Sequence, residues 1–204
     1  MKHLSDNEII FLKKLNTPTL VQDYLESIPF NHEDKGETCM SPRRVLREGK
    51  AHCLEGAMLA AYAFMLQGRR PLIMSIKVTK DDYDHVVALY KENGYWGAVS
   101  KTNHSVLGFR DPVYKNIREL AMSYFHEYFL IKNGKKTMRG YSRPISMLRF
   151  GTKWVTEENE LFDIALWISD HNHLSVIPED MNTFLRKATL LERESADISR
   201  DGRE

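Results

Sequence analysis

Cysteine is scarce in this chain. Only Cys39 and Cys53 occur among its 204 residues, which is too few for the disulfide framework that stabilises small secreted domains. A bridge between the two thiols stays open as an alternative, although a reducing compartment argues against it. Each thiol is therefore expected to serve packing or chemistry rather than a covalent scaffold.

Long apolar runs and an excess of one charge are also missing. No apolar stretch approaches the roughly 18 residues that a membrane span requires, and 29 basic residues are balanced by 28 acidic ones, for a formal net charge of +1. This balance excludes a general electrostatic field for nucleic acid or an anionic membrane. Acidic residues occur at the N-terminus, where a signal peptide would be hydrophobic. We expect a cytoplasmic protein with no nucleic-acid or membrane partner.

The rest of the composition is that of an ordinary globular protein, with 42% hydrophobic and 28% charged residues. The length suits one well-formed core. We expect one domain over residues 1–130 and a helical extension over 131–204 packed on it. The last part of that extension, 192–204, is charged and is expected to fray.

Hydrophobic periodicity, capping residues and turn signals predict an α+β fold. The helix after Gly49 is the most strongly apolar one and begins at Cys53. The other predicted helices cover 6–15, 19–27, 42–48, a stretch that starts at 117, 157–167 and 179–191. The predicted strands cover 71–78, 85–90, 95–100 and 105–109.

Cys53 is the most informative residue of the sequence. A thiol at a helix N-terminus lies where unpaired N–H groups and the helix dipole favour its thiolate form. His85 follows 32 residues later, at the start of a predicted strand, and a histidine beside a thiol supplies the base for a nucleophile. The alternative interpretation of Cys53 is a small buried hydrophobe in a core helix.

The segment around Cys53 and the hairpin after His85 carry a resemblance. Residues 47–57, Arg-Glu-Gly-Lys-Ala-His-Cys-Leu-Glu-Gly-Ala, approach the cysteine through a glycine and place an acidic residue two positions after it. The strand that starts at His85 turns at Asn93-Gly94, a strong hairpin signal, and returns over 95–100. This order resembles the papain-like transglutaminase core, and the resemblance covers residues 40–112. It implies N-terminal helices, with the cysteine on a central helix packed against an antiparallel sheet, followed by C-terminal helices.

The sequence departs from the family pattern at the third site residue. The family ends its return strand in an aspartate that orients the histidine, and Ser100 stands at that position here. Pairing across the turn is expected to place Ser100 or Lys101 opposite His85. Asn103 and Asp111 stay open as alternative partners of the histidine.

The resemblance implies a cysteine-dependent amide hydrolase or acyl transferase. Cys53 would form a thioester, His85 would carry the proton, and Ser100 would orient the histidine. The implied substrate is a peptide or protein amide, and no cofactor or metal is implied. Two alternatives remain, namely an inactive binding module on the same fold and an unrelated scaffold in which Cys53 is buried.

Overall fold

A computed structural model describes residues 4–196 and shows an α+β fold with an open antiparallel sheet of seven strands and several helices. The strands run in the order β4-β3-β2-β1-β5-β7, and β6 pairs with β1. The strands are β1 (Leu72–Val78), β2 (His85–Glu92), β3 (Tyr95–Val99), β4 (Arg110–Tyr114), β5 (Met138–Ser142), β6 (Ile145–Ser146) and β7 (His173–Ser175).

The helices occupy the N-terminal part and the intervals between the later strands. Within residues 4–196 none of them is both long and apolar enough to cross a membrane. The α-helices are α1 (Asp6–Lys14), α2 (Pro18–Ser27), α3 (Pro42–Glu48), α4 (Cys53–Leu66), α5 (Ile117–Met122), α6 (Lys153–Thr156), α7 (Phe162–Asp170) and α8 (Leu190–Ala196).

The bounds of α3 and α4 follow from their caps. The Ser41 hydroxyl accepts a hydrogen bond from the Arg44 N–H at the start of α3, and Pro42 occupies the first helical position. Gly49 ends that helix in the left-handed conformation, with φ of 64°. The chain therefore breaks just before Cys53 and restarts there as α4.

Helix α4 is apolar on all sides because it lies in the core. It packs against one face of the sheet, together with α2, α3 and α6. The opposite face of the sheet carries a second cluster that includes Val87 and Leu89 of β2 and is covered by α5 and Tyr128. Two hydrophobic layers thus enclose the sheet, and α4 belongs to the first.

The prediction of a fourth strand at 105–109 was wrong. The strand that pairs with β3 is β4, at Arg110–Tyr114, and it forms an edge of the sheet. Because an edge strand leaves one row of its N–H groups unpaired, Pro112 is tolerated there. Asp111, an alternative partner of His85, therefore lies inside this strand.

The C-terminal part was expected to be helical, but it also supplies three strands of the sheet. Strand β5 pairs with β1, β7 pairs with β5, and β6 pairs with the beginning of β1. Open backbone groups on the second edge of β1 explain why this segment adds strands. The helix expected at 179–191 is a short 3₁₀ turn at 179–184 followed by α8. Of the tail expected to fray, residues 197–204 lie outside the described residues.

Candidate functional site

Cys53 is the first residue of α4 and lines an open cleft. Both cysteines are free thiols. The Cys53 side chain is partly exposed, whereas Cys39 is buried. The cleft has a volume of about 470 Å³ and lies where the start of α4 meets the start of β2. Its lining includes His52, His85, Thr102, Asn103 and Tyr128, together with acidic residues of the loop before β2.

The structure brings the three sequence-predicted site residues together. Cys53 and His85 line the same cleft, where His85 lowers the pKa of the thiol, and His85 Nε2 lies 2.7 Å from Ser100 Oγ. Since Nε2 is engaged by the serine, the other ring nitrogen is the one left for the thiol. His85 and Ser100 are both buried, at 5% and 1% exposure.

The strand register differs from the expected one. The β2–β3 ladder pairs Glu92 with Tyr95 and Ala88 with Val99, so its continuation sets position 102, and not 100 or 101, opposite His85. Ser100 is the diagonal neighbour on the same face, two residues earlier, and that separation is within side-chain reach. The hydrogen bond to Ser100 therefore forms across a diagonal rather than a direct pair.

Helix α2 fixes the backbone of Ser100. The Gln22 side chain accepts a hydrogen bond from the Ser100 N–H and donates one to the Ser100 carbonyl, both at 2.9 Å. The buried Lys101 ammonium donates to the carbonyls of Leu25 and Ile28 at the end of the same helix, where a cation is stabilised by the helix dipole. Nothing in the sequence connects Gln22 with the strand 78 residues later.

His52 is a second histidine at the thiol, and the sequence interpretation missed its role. Its side chain lowers the pKa of Cys53 and caps α4, because Nδ1 accepts the Leu54 N–H at 3.2 Å. Its Nε2 lies 3.0 Å from the Thr38 carbonyl. Since a carbonyl only accepts, Nε2 carries a hydrogen. The signal available in the sequence was the position of His52 directly before the cysteine at a helix start.

Glu55 provides the negative charge nearest to this histidine. Its carboxylate is fully buried and lies 3.4 Å from His52 Nε2. One oxygen accepts hydrogen bonds from Thr38 Oγ1 and the Met40 N–H, at 2.8 and 2.9 Å. The other accepts from Asn31 Nδ2 and the His52 N–H, at 3.2 and 2.8 Å. Four donors from three segments thus compensate the burial of one carboxylate.

The two histidines change the ionisation of the thiol. Burial favours the neutral form of Cys53, but hydrogen bonds and positive charge from His52 and His85 outweigh it and lower the pKa of the thiol from 9.0 to about 5. Burial likewise favours neutral His52, but Cys53, Glu55 and the Thr38 carbonyl raise its pKa from 6.5 to about 9. These directions describe a thiolate beside an imidazolium.

One hydrogen bond opposes that charge state. The Leu54 N–H donates to His52 Nδ1, and a protonated Nδ1 cannot accept it. The capping bond therefore favours the neutral ring, whereas the thiolate and Glu55 favour the charged form. Protonation of Nδ1 exchanges the capping bond for attraction to these two negative charges.

The alternative partners of His85 take other places. Asp111 is exposed on β4, and its charge acts on Tyr90, near the opposite end of β2. Asn103 lines the cleft. Cys39 lies beneath the site, where burial, followed by the charges of Glu55 and Glu160, raises its pKa. Of these groups, only Asn103 shares the cleft with the thiol.

The paired histidines near the C-terminus belong to a different region. The His171 ring stacks on Trp167 at a centroid distance of 4.5 Å, and His173 Nε2 lies 3.0 Å from Ser75 Oγ. Across residues 4–196 no group of three or more His, Cys, Asp and Glu side chains is arranged to hold a metal ion. His171 therefore packs at the end of α7, and His173 makes a hydrogen-bond contact on the sheet.

Comparison with known proteins gives no family for this chain. No protein-family model and no curated protein matches the sequence. The chemistry of the cleft is consequently argued from its own residues. The decisive features are a thiol with two imidazole partners, a buried carboxylate behind one of them and a serine behind the other.

Proposed function

We propose that this protein is a cysteine-dependent amide hydrolase or acyl transferase that works through a thioester. One observation carries the proposal: the Cys53 thiol at the start of α4 shares an open cleft with His52 and His85, and both histidines lower its pKa. A thiol with a lowered pKa, an adjacent base and solvent access is the combination that nucleophilic catalysis requires.

The arrangement of elements supports a core of the papain and transglutaminase type. The cysteine begins a central buried helix, that helix packs on an antiparallel sheet, and the histidine begins a strand followed by a hairpin. The turn at Asn93 and Gly94 has the positive φ angles, 48° and 90°, that such a hairpin uses. The proposed core therefore includes α4, β1, β2 and β3.

The proposed reaction divides the work between the thiol and His85. The Cys53 thiolate attacks the carbonyl carbon of an amide, and the carbonyl electron pair moves to oxygen. When this intermediate collapses, the C–N bond breaks and the imidazolium of His85 gives its proton to the leaving amine. Water or an amine then attacks the thioester, His85 accepts its proton, and the thiolate is released. Atoms and charges balance without an external oxidant or cofactor.

The proposed substrate is an amide of a peptide or protein, and the proposed location is the cytoplasm. A cleft of about 470 Å³ accepts an extended side chain or a short peptide segment. Two free thiols are compatible with a reducing compartment. Hydrolysis and acyl transfer share the same thioester and differ only in the nucleophile that resolves it.

Ser100 favours a second candidate, a binding module that keeps the cleft and lacks turnover. A serine hydroxyl carries no charge to stabilise an imidazolium on His85. That candidate is expected to have an ordinary thiol, separated from the histidine. The shared cleft of Cys53 and His85 and the lowered pKa of the thiol support the enzyme instead.

Alkylation of Cys53 with iodoacetamide tests the proposal. At pH 6 a thiol with a pKa near 5 is about 90% ionised, and one near 9 is about 0.1% ionised. The weaker nucleophilicity of the more acidic thiolate removes roughly 40- to 100-fold of this advantage. We expect Cys53 to react about tenfold faster than an unperturbed thiol at pH 6, with an inflection near pH 5, measured by mass spectrometry of the labelled peptide.

Two controls accompany this experiment. His85→Ala should slow alkylation at pH 6, whereas His126→Ala, at an exposed histidine outside the lining of the cleft, should not. Cys39 should stay unlabelled because it is buried. An inflection near pH 9 in the wild-type protein, unaffected by His85→Ala, would contradict the enzyme and favour the binding module.

A further inference from the structure

The backbone donors at the start of α4 are largely occupied. An oxyanion formed at Cys53 needs N–H or O–H groups that point toward it. The Leu54 N–H already donates to His52 Nδ1, and the Gly56 N–H donates to the His52 carbonyl. The Cys53 N–H has no acceptor within residues 4–196. The helix start therefore offers one free donor near the thiol.

Tyr128 supplies a second donor at this cleft. Its ring is 5% exposed and packs in the same cluster as Val87 and Leu89, on the sheet face that His85 shares by strand alternation. Its side chain lines the cleft beside Cys53. In the described part of the chain the Tyr128 hydroxyl has no hydrogen-bond partner, and it is not among the fully enclosed unpaired atoms. The hydroxyl is therefore open to a bound molecule.

We propose that the Tyr128 hydroxyl donates a hydrogen bond to the oxyanion of the tetrahedral intermediate at Cys53, as the second donor beside the Cys53 N–H. This proposal rests on the proposed function and adds a catalytic residue to it. The intermediate forms when the Sγ–C bond is made and the carbonyl electron pair moves to oxygen. The phenol O–H then shares its hydrogen with that oxygen until the leaving group departs and the carbonyl re-forms.

The surroundings of Tyr128 keep it in the donor form. Burial raises the pKa of its hydroxyl well above the usual value, and the negative charges of Cys53, Asp82 and Asp84 act in the same direction. The influence of Cys53 places the phenol within electrostatic range of the thiolate. A phenol that stays protonated donates a hydrogen bond without adding charge to the site. Of these neighbours, the charge of Asp84 is paired with Lys77 at 2.7 Å.

Two reagents separate oxyanion stabilisation from thiol reactivity. Acylation by p-nitrophenyl acetate passes through a tetrahedral oxyanion and releases p-nitrophenolate, whereas alkylation by iodoacetamide displaces iodide from a saturated carbon and forms none. For Tyr128→Phe we expect the rate of the p-nitrophenolate burst to fall by on the order of 10²-fold. The alkylation rate at pH 6 should stay within about twofold of wild type, since the ring is retained.

Tyr95→Phe is the matched control, because Tyr95 is a half-exposed tyrosine outside the lining of the cleft. It should acylate at the wild-type rate. Three results would overturn the role of Tyr128: an unchanged burst in Tyr128→Phe, an equal loss with both reagents, or the same loss in Tyr95→Phe. Each of them leaves the proposed function standing if wild-type Cys53 is acylated. A wild-type protein that gives no burst overturns the proposed function and this role with it.

Discussion

Replacement of Glu55 by glutamine is expected to destabilise the fold substantially. Glutamine keeps the shape of the side chain but turns one acceptor oxygen into an NH₂ donor. Each carboxylate oxygen accepts one backbone N–H, from Met40 or from His52, and one side-chain donor, from Thr38 or Asn31. The side-chain donors are able to rotate, but the backbone groups are not. Either orientation of the amide thus leaves one buried N–H without an acceptor.

The expected loss of unfolding free energy follows from the one buried N–H group that is left without an acceptor. An orphaned buried donor costs about 1–3 kcal/mol, and loss of the charge weakens the remaining hydrogen bonds. We expect a decrease of about 2–3 kcal/mol in the free energy of unfolding. With an m-value of about 3 kcal/mol/M, at the upper end for urea, the denaturation midpoint should fall by roughly 0.7–1 M. Urea titration followed by circular dichroism measures this shift.

Glu8→Gln is the control for Glu55→Gln. Glu8 occupies the same capping-box position in α1, where it accepts hydrogen bonds from the backbone and the hydroxyl of Ser5, but these contacts are exposed. Water replaces the lost acceptor there, so the midpoint should move by no more than roughly 0.3 M. If the two variants shift equally, or if Glu55→Gln unfolds within 0.2 M of wild type, the assignment of Glu55 as a buried, fully bonded carboxylate is wrong.

Two further predictions concern charge and packing. The lowered pKa of Cys53 contributes stability that is present above pH 9 and is lost as the pH falls through about 5. The raised pKa of His52 contributes stability that is present below pH 6.5 and is lost as the pH rises through about 9. The two pH dependences cancel between pH 6.5 and 9, so the contribution of the pair to the free energy of unfolding should be constant there and fall by about 2 kcal/mol from pH 6.5 to 5. Urea titrations at a series of pH values measure this profile. A thiolate absorbance at 240 nm with its inflection near pH 9 would contradict the prediction. In Gly56→Ala the new methyl group would overlap the Cβ of Lys101, so this variant should lose about 1–3 kcal/mol of unfolding free energy and react more slowly at Cys53 with iodoacetamide at pH 6. Gly108→Ala meets nothing within 4 Å and should show neither effect. Equal effects in the two variants would refute the close approach of α4 to Lys101.

Local sequence signals predicted the parts of the site that depend on short-range geometry. The cap and the glycine end of α3 and the turn at Asn93-Gly94 are determined by residues within a few positions. They were enough to set Cys53 at a helix start and His85 at a strand start. The N-terminal helices and the strands β1, β2 and β3 were likewise predicted close to their observed bounds.

The same reasoning did not predict the contacts between strands and side chains that are distant in the sequence. Strand β5 lies beside β1 although about 60 residues separate them, and its short sequence with Gly140 has little strand character. The two hydrogen bonds between Gln22 and the Ser100 backbone join residues that are 78 positions apart. Such partners are fixed by the packing of α2 on the sheet, which no local pattern encodes. Glu55 was noticed as an acid two positions after the cysteine, but its four hydrogen-bond donors come mostly from a loop that carries no motif.

The charge around the thiol is unequal on its two sides, and under the proposed function this inequality assigns different tasks to the two histidines. His85 is backed by the uncharged hydroxyl of Ser100, while His52 has the buried Glu55 carboxylate within 3.4 Å. A nearby carboxylate stabilises an imidazolium, so a resting proton is better held on His52. The Ser100 hydroxyl orients His85 without adding a charge, which leaves that ring as the proton carrier of the proposed reaction. His52 therefore keeps the thiolate formed, and His85 moves the proton during turnover, so an acid at position 100 is not required for either task.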